Sequence, residues 1–164
     1  MRRGLVFVPL AIAAASASAD TVQAPAAAPF EEIYVTNIRA DPRLCNIGRA
    51  RRMTFDTVVR DYRSLGGLCV AVRGIWRCAL YRSAADARAS ETPGARNLTA
   101  RQIGLYGPRE ILDLNSAPAR LEVTAVGTVG RCEHWVEARV SIMGYCHSVD
   151  SGPYIALAEM YFEP

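Results

Sequence analysis

The clearest strand signal in the chain lies in residues 68–82, which read LCVAVRGIWRCALYR. From Leu68 to Leu80, every second residue is apolar or glycine, whereas two of the intervening residues are arginines. Because side chains alternate between the two faces of a strand, this pattern predicts a strand at residues 68–76 whose even-numbered positions face the core. Residues 79–83 are expected to pair with that strand or to continue it. A bulge at Gly74 would reverse the assignment of the two faces.

Further elements are predicted on either side of this segment. Residues 53–65 place apolar side chains at helical spacing, with Thr54 as the N-cap and the Gly-Gly pair at 66–67 as the stop. Residues 83–100 are expected to form a loop, or a short helix followed by a loop. The other predictions are a first strand at 31–36, later strands at 101–106, 121–129 and 154–162, and a short helix at 108–114.

The order of these elements indicates a fold class. Three strands, a helix and two strands follow one another as in the five-stranded OB barrel, whose long first strand commonly bends at a glycine. Gly74 lies where that bend would be. The predicted fold is therefore mainly β (α+β), an OB-like five-stranded barrel with an N-terminal amphipathic helix and a short helix between strands 3 and 4. Other small β-barrels and α+β sandwiches fit the pattern nearly as well.

Composition and the N-terminal residues predict an exported, single-domain protein. The 164 residues are 51% hydrophobic and 21% charged, which excludes a disordered chain. Residues 1–19 combine two arginines, an apolar middle and a small-x-small finish, which is typical of a signal peptide. Residues 20–30 are rich in Ala and Pro and are interpreted as a tether. Residues 31–164 should form one disulfide-stapled β-rich domain, periplasmic or extracellular, without a transmembrane segment in the mature chain.

The alternation also suggests how five cysteines pair in an oxidising compartment. Two disulfides and one free thiol are the economical arrangement. Cys78 falls on the core face of the predicted strand, so we expect it to be buried and unpaired. Cys69 falls on the opposite face, within reach of the segment that contains Cys45. The predicted disulfides are Cys45–Cys69 and Cys132–Cys146.

Positive charge is concentrated in the middle of the chain. All 19 basic residues are arginine, which together with the high alanine content suggests a GC-rich bacterial genome. Residues 39–109 carry 14 arginines against 5 acidic residues, whereas residues 110–164 carry 3 against 8. The two regions either neutralise each other, within the fold or across a homodimer, or leave a basic face free for an anion. The densest cluster, a candidate anion site or simply a solvated face, comprises Arg39, Arg43, Arg49, Arg51 and Arg52.

A second candidate site combines aromatic rings and arginines on the outside of the predicted barrel. OB domains hold single-stranded nucleic acid or oligosaccharide with such surfaces. Trp76 falls on the core face and should be buried, whereas Tyr81 falls on the opposite face. The predicted ligand-binding residues are Arg73, Arg77, Tyr81 and Arg82. Their binding to an anion would weaken steeply with added salt.

An alternative site uses the two histidines, each of which lies close to a cysteine. In a strand, Cys132 and His134 would point to the same face. A third ligand, from Cys146 or His147, would complete the layout of a catalytic zinc site with an open position. A disulfide between the two cysteines removes both thiolates, however. We therefore predict neither a metal nor another cofactor and keep the Cys/His site as the alternative.

The motif content favours a binding module over an enzyme. No G-x-S-x-G, H-E-x-x-H, P-loop, G-x-G-x-x-G or C-x-x-C motif occurs. The expected function is that of a small exported module that binds an anionic ligand on a basic barrel face. The alternatives are a metal-dependent hydrolase built on the Cys/His site and a structural subunit of an envelope assembly, whose partner would be another envelope protein or a second copy of the chain.

Overall fold

The structure is a computed structural model that describes residues 38–90, 101–108, 112, 121–138, 144–149 and 151–163. The predicted signal peptide, tether and first strand lie outside these residues, as does the end of the predicted loop, at 91–100. Of the predicted helix at 108–114, the described residues include Pro108 and Leu112. The Leu112 N–H donates to the Pro108 carbonyl at 3.2 Å, as in a helical turn, and its side chain packs against the core.

Five of the described strands close into a barrel. The strands are β1 (Arg51–Met53), β2 (Cys69–Arg77), β3 (Ala79–Tyr81), β4 (Gln102–Tyr106), β5 (Leu121–Arg131) and β6 (Pro153–Phe162). Their order in the sheet is β1-β2-β3-β4-β6-β5, and β5 also pairs with β2, which closes the ring of β2 to β6. β4 and β6 are parallel, and the other pairs within the ring are antiparallel. The prediction of a mainly β, OB-like five-stranded barrel is confirmed.

β2 pairs with three other strands of the sheet. It pairs with β5 without interruption from Cys69 to Trp76, so no bulge at Gly74 reverses its faces. On its other edge, β1 pairs with its first half and β3 with its second half. At Gly74 the chain passes so close to β3 that a Cβ atom would lie 2.7 Å from the Tyr81 carbonyl oxygen. The glycine therefore permits the close approach of the two strands.

The even-numbered residues of β2 face the core, as predicted. Val70, Val72 and Trp76 pack in the main hydrophobic cluster with residues of β4, β5 and β6. The prediction that Cys78 is unpaired is confirmed, but the prediction that it is buried is wrong, because its thiol is exposed. Cys78 forms the turn between β2 and β3, with a φ of 56°, and there the alternation of the strand no longer applies.

Two capped helices lie beside the barrel. In α1 (Phe55–Asp61), the Thr54 hydroxyl accepts from the Thr57 N–H at 3.2 Å, which confirms the predicted start. α1 is shorter than predicted, since Tyr62 is its C-cap and turns follow as far as Gly67. In α2 (Ala84–Ala89), Ser83 provides the same type of cap. No described helix is long and apolar enough to cross a membrane.

The connection between β5 and β6 is not a simple hairpin turn. Its described residues form two short helices, α3 (Glu133–Glu137) and α4 (Tyr145–Ser148). The Cys132–Cys146 disulfide joins the start of this connection to α4. The Cys45–Cys69 disulfide fixes the segment before β1 to the start of β2. These are the two pairs that the sequence predicts, and they fit an exported protein.

Candidate functional site

The arginines and the tyrosine predicted to bind a ligand do not form a shared exposed face. The Arg73 Nε contacts Glu122 Oε1 at 2.9 Å, and Arg82 contacts two acidic side chains, each at 3.6 Å. Tyr81 is only 5% exposed, so the prediction that it stacks on a ligand at the surface is wrong. Arg77 is half-buried at the end of β2. The predicted ligand-binding residues therefore lie partly on exposed strand surface and partly under another segment of the chain.

The cover over Tyr81 comes from a distant part of the chain. Tyr145, in α4, packs against Tyr81 and against Ala87 of α2. Its ring also lies on Gly104 of β4, where a Cβ atom would be 2.1 Å from a Tyr145 ring carbon. Burial raises the pKa of Tyr145, with a further rise from the neighbouring Tyr81, so the phenol stays neutral. A chain segment therefore occupies the place that was predicted for a ligand.

A second aromatic cluster extends this cover. Tyr106 and Tyr154 meet edge to face with 5.1 Å between ring centroids. The Cys146 N–H donates to the Tyr106 hydroxyl at 2.8 Å, which ties α4 to β4. OB barrels commonly bind ligands on strands 2 and 3 and on the loop between strands 4 and 5. Here the corresponding strands are β3 and β4, and α4, in the corresponding loop, lies on them.

Glu133 anchors the cover to α1. Its carboxylate accepts from the Tyr62 hydroxyl, from Arg63 Nη2 at 3.3 Å and from the Gly152 N–H at 3.2 Å. Burial raises the pKa of Glu133, but the hydrogen bonds from Tyr62, Arg63 and two backbone N–H groups outweigh it, so the pKa lies below its ordinary value. The contacts with Tyr62 and Arg63 join residues about seventy positions apart, and no local pattern in the sequence indicates them.

The Cys/His alternative is wrong, because both sulfurs of its cysteines are in the Cys132–Cys146 disulfide. His134 lies on α3 instead of on a strand, and both it and His147 are exposed. Among the described residues, no group of three or more His, Cys, Asp or Glu side chains converges to hold a metal ion.

A pocket of about 470 Å³ lies on a different part of the barrel's outside. Its floor consists of Ala71 and Thr124, on β2 and β5, and Arg52 of β1 and Arg73 of β2 also line it. Strand register explains why these side chains meet, since Arg52 lies opposite Ala71 and Arg73 lies opposite Thr124. Residues directly opposite on neighbouring strands point to the same face. The remaining lining residues are Ile47, Met53, Tyr161 and Glu163.

The loop before β1 forms one wall of the pocket. Ile47 donates its N–H to Glu159 Oε2 at 2.9 Å, and the same oxygen accepts from the Tyr161 hydroxyl at 2.9 Å. Earlier in the loop, the Arg43 guanidinium and N–H bind Asp41 and lower the pKa of that carboxyl to about 2. These bonds and the Cys45–Cys69 disulfide hold the wall against the barrel.

The hydrogen-bonding capacity of the pocket is only partly used. Glu122 engages Arg73 through Nε, which leaves the terminal nitrogens of the guanidinium as donors. Thr124 donates to one oxygen of Glu163 at 2.7 Å. Arg52 is exposed and makes no hydrogen bond or ion pair with any residue that the structure describes. The pocket therefore contains the Arg52 guanidinium, which is not paired with any described residue, beside the Arg73 guanidinium, which Glu122 orients.

The pocket joins one residue from each of the two arginine sets singled out in the sequence. Arg73 comes from the predicted ligand-binding set and Arg52 from the densest arginine cluster. Others of that cluster lie elsewhere: Arg43 pairs with Asp41, and Arg49 donates to the Arg43 carbonyl at 2.8 Å. Sequence reasoning missed the contributions of β5 and β6, because the alternation of one strand does not show which strand lies beside it.

Fold and pocket together define an OB-like barrel whose usual binding face is closed and whose cavity lies elsewhere on its outside. Comparisons of the chain with protein-family models, with curated proteins and with solved structures give no significant match. Its function is therefore inferred from its own residues.

Proposed function

We propose that this protein is an exported, non-enzymatic binding module that holds a small ligand with an anionic group in the pocket beside Arg52 and Arg73. The observation that carries the proposal is the Arg52 guanidinium, which lines the pocket and has no counter-charge within ion-pair distance among the described residues. An anion supplied by a ligand would provide that counter-charge.

The size and composition of the pocket support a small ligand. Its volume of about 470 Å³ falls within the range of small-molecule sites, about 300–1,000 Å³. Arginine is suited to carboxylates and phosphates because its planar fork donates two parallel hydrogen bonds. Glu122 holds the Arg73 guanidinium in place before any ligand arrives, which reduces the ordering cost of binding.

The two disulfides support a periplasmic or extracellular location, where such bonds persist. The lining of the pocket supports binding over catalysis. Its described residues offer donors, a carboxylate and apolar contacts, but they do not include a Ser, Cys or Lys nucleophile beside a base.

The test measures the melting temperature of the protein in rising concentrations of sodium phosphate and of sodium hexanoate. A saturable ligand at ten times its dissociation constant should stabilise the fold by about 1.4 kcal/mol, which raises the melting temperature by several degrees. Arg52→Ala should lose this saturable rise. Arg51→Ala is the matched control, because Arg51 is the adjacent exposed arginine on β1 and does not line the pocket.

Both salts also have a general effect on the stability of folded proteins. This effect is the same for Arg52→Ala and Arg51→Ala, so it cancels when the two variants are compared. If Arg52→Ala and the parent protein give the same titration curves, the proposal is wrong. Added sodium chloride should weaken the binding, because the arginine is exposed to solvent.

A further inference from the structure

The pocket is not uniformly basic. Glu163 lines it together with Arg52 and Arg73. One oxygen of Glu163 accepts from Thr124 at 2.7 Å, and the other has no partner among the described residues. The pocket thus contains a free cation and a free carboxylate oxygen.

Strand register places the two charges on different sides of the floor. Arg73 lies opposite Thr124, and Thr124 lies opposite Tyr161, so β5 separates β2 from β6. Neighbouring strands are about 4.8 Å apart, which puts the backbones of β2 and β6 about 10 Å apart. Glu163 follows directly after β6, and its N–H bonds to the Glu122 carbonyl at 2.9 Å. Glu163 therefore reaches Thr124 from the β6 side, opposite to the arginines of β1 and β2, and it forms no ion pair with either of them among the described contacts.

Apolar side chains line the pocket together with the charged ones. Ile47 and Met53 both line the pocket, and Ile47 is 38% exposed. An aliphatic chain between two charged groups would cover this apolar surface. A ligand that carried only negative charge would be repelled by Glu163, whereas an ammonium group there would be attracted to it.

The charges of the pocket lining also indicate which charges on a ligand would be compensated. Arg73 is already paired with Glu122, so the uncompensated charges of the lining are one positive, on Arg52, and one negative, on Glu163. A ligand that is neutral as a whole but carries both signs compensates both groups. A simple anion compensates one and leaves the other in a partly desolvated pocket.

We infer that the ligand of this pocket is zwitterionic, with a carboxylate or similar anion that binds Arg52 and Arg73 and an ammonium group that binds Glu163, joined by a short aliphatic chain. This inference rests on the proposed function and names the chemical class of the ligand.

The test compares three probes that share one aliphatic chain: 6-aminohexanoate, hexanoate and hexylamine. Their dissociation constants are measured by saturation-transfer NMR with the full chain. In the parent protein, 6-aminohexanoate should bind about tenfold more tightly than either probe with one charge, since one charged hydrogen bond is worth about that factor.

Glu163→Gln is the informative variant. A glutamine keeps an oxygen that accepts from Thr124, so the fold is expected to be retained, but it removes the negative charge. The variant should bind 6-aminohexanoate and hexanoate equally. Glu137→Gln is the matched control, because Glu137 is an exposed carboxylate on α3 that does not line the pocket, and it should retain the tenfold preference.

The possible outcomes separate this inference from the proposed function. If hexanoate binds as tightly as 6-aminohexanoate to the parent protein, and Arg52→Ala weakens both, the zwitterion inference is wrong and the proposed function stands. If no carboxylate probe binds in a manner that depends on Arg52, both are wrong.

Discussion

Two glycines leave the space that aromatic rings occupy on the closed face of the barrel. Gly104 on β4 leaves space for the Tyr145 ring, and Gly130 on β5 leaves space for Tyr154, where a Cβ atom would lie 2.1 Å from the ring. Both rings belong to the cover that the described residues between β5 and β6, together with the start of β6, form over the barrel. The closed face thus depends on the absence of two Cβ atoms as well as on the aromatic residues themselves.

Gly104→Ala should lower the free energy of unfolding by about 1–3 kcal/mol, because the added methyl overlaps the Tyr145 ring, which must move. Urea denaturation followed by tryptophan fluorescence measures the change. Gly66→Ala is the matched control, since nothing lies within 4 Å of a Cβ atom there, and its effect should stay within about 0.5 kcal/mol. Equal effects of the two substitutions would show that Tyr145 does not pack on β4 as described.

Individual residues also mark the limits of prediction from the sequence. The face of each even-numbered residue of β2 follows from the alternation, and that alternation also placed Cys69 where Cys45 can reach it. The burial of Cys78 was predicted wrongly because this residue belongs to a turn. Tyr81 was predicted wrongly because the residue that buries it, Tyr145, lies more than sixty positions away and follows no shared pattern.

Among the elements, the connection between β5 and β6 has the most consequences for function. Its described residues lie on the strands that an OB barrel commonly uses for ligands, and Glu133 together with the Cys132–Cys146 disulfide holds them there. β1, in contrast, opens a new surface, because it adds Arg52 to the outer face of β2. β1 could not be predicted, since it has three residues and two of them are exposed arginines.

The Glu133 anchor should make the stability of the protein depend on pH. Because the folded pKa of Glu133 is lowered, its contribution is fully present above the unfolded pKa of about 4.3 and is lost as the pH falls through the folded value. At pH 7, Glu133→Gln should therefore lower the free energy of unfolding by about 2 kcal/mol, and this difference should shrink below about pH 4.

Urea denaturation at several pH values measures this dependence. Glu137→Gln on the same helix is the matched control, because its ion pair with Arg131 is exposed and should contribute less than about 1 kcal/mol. Parallel stability profiles for the parent protein and Glu133→Gln across this pH range would exclude Glu133 as the anchor.

In the molecule as a whole, the barrel has two different outer surfaces. One is covered by the connection between β5 and β6, and the other is open and contains the pocket. The sequence predicted the barrel itself, since strand alternation and the order of the elements are local signals. It did not predict the location of the pocket, which requires β1, β2, β5 and β6 to be neighbours. The pairing of β2 with β5 links residues about fifty positions apart, and this pairing brings Arg73 beside Thr124.

The central claim is that the ligand site lies on the open face and not on the closed one. The most direct measurement is a map of backbone amide chemical-shift changes in ¹⁵N-labelled protein as 6-aminohexanoate or hexanoate is added. A ligand in the open pocket should cause saturable changes at Arg52, Arg73 and Thr124 and leave Gly104 and Cys146 unaffected. Changes confined to Gly104, Cys146 and their neighbours would place the ligand on the closed face and contradict the account.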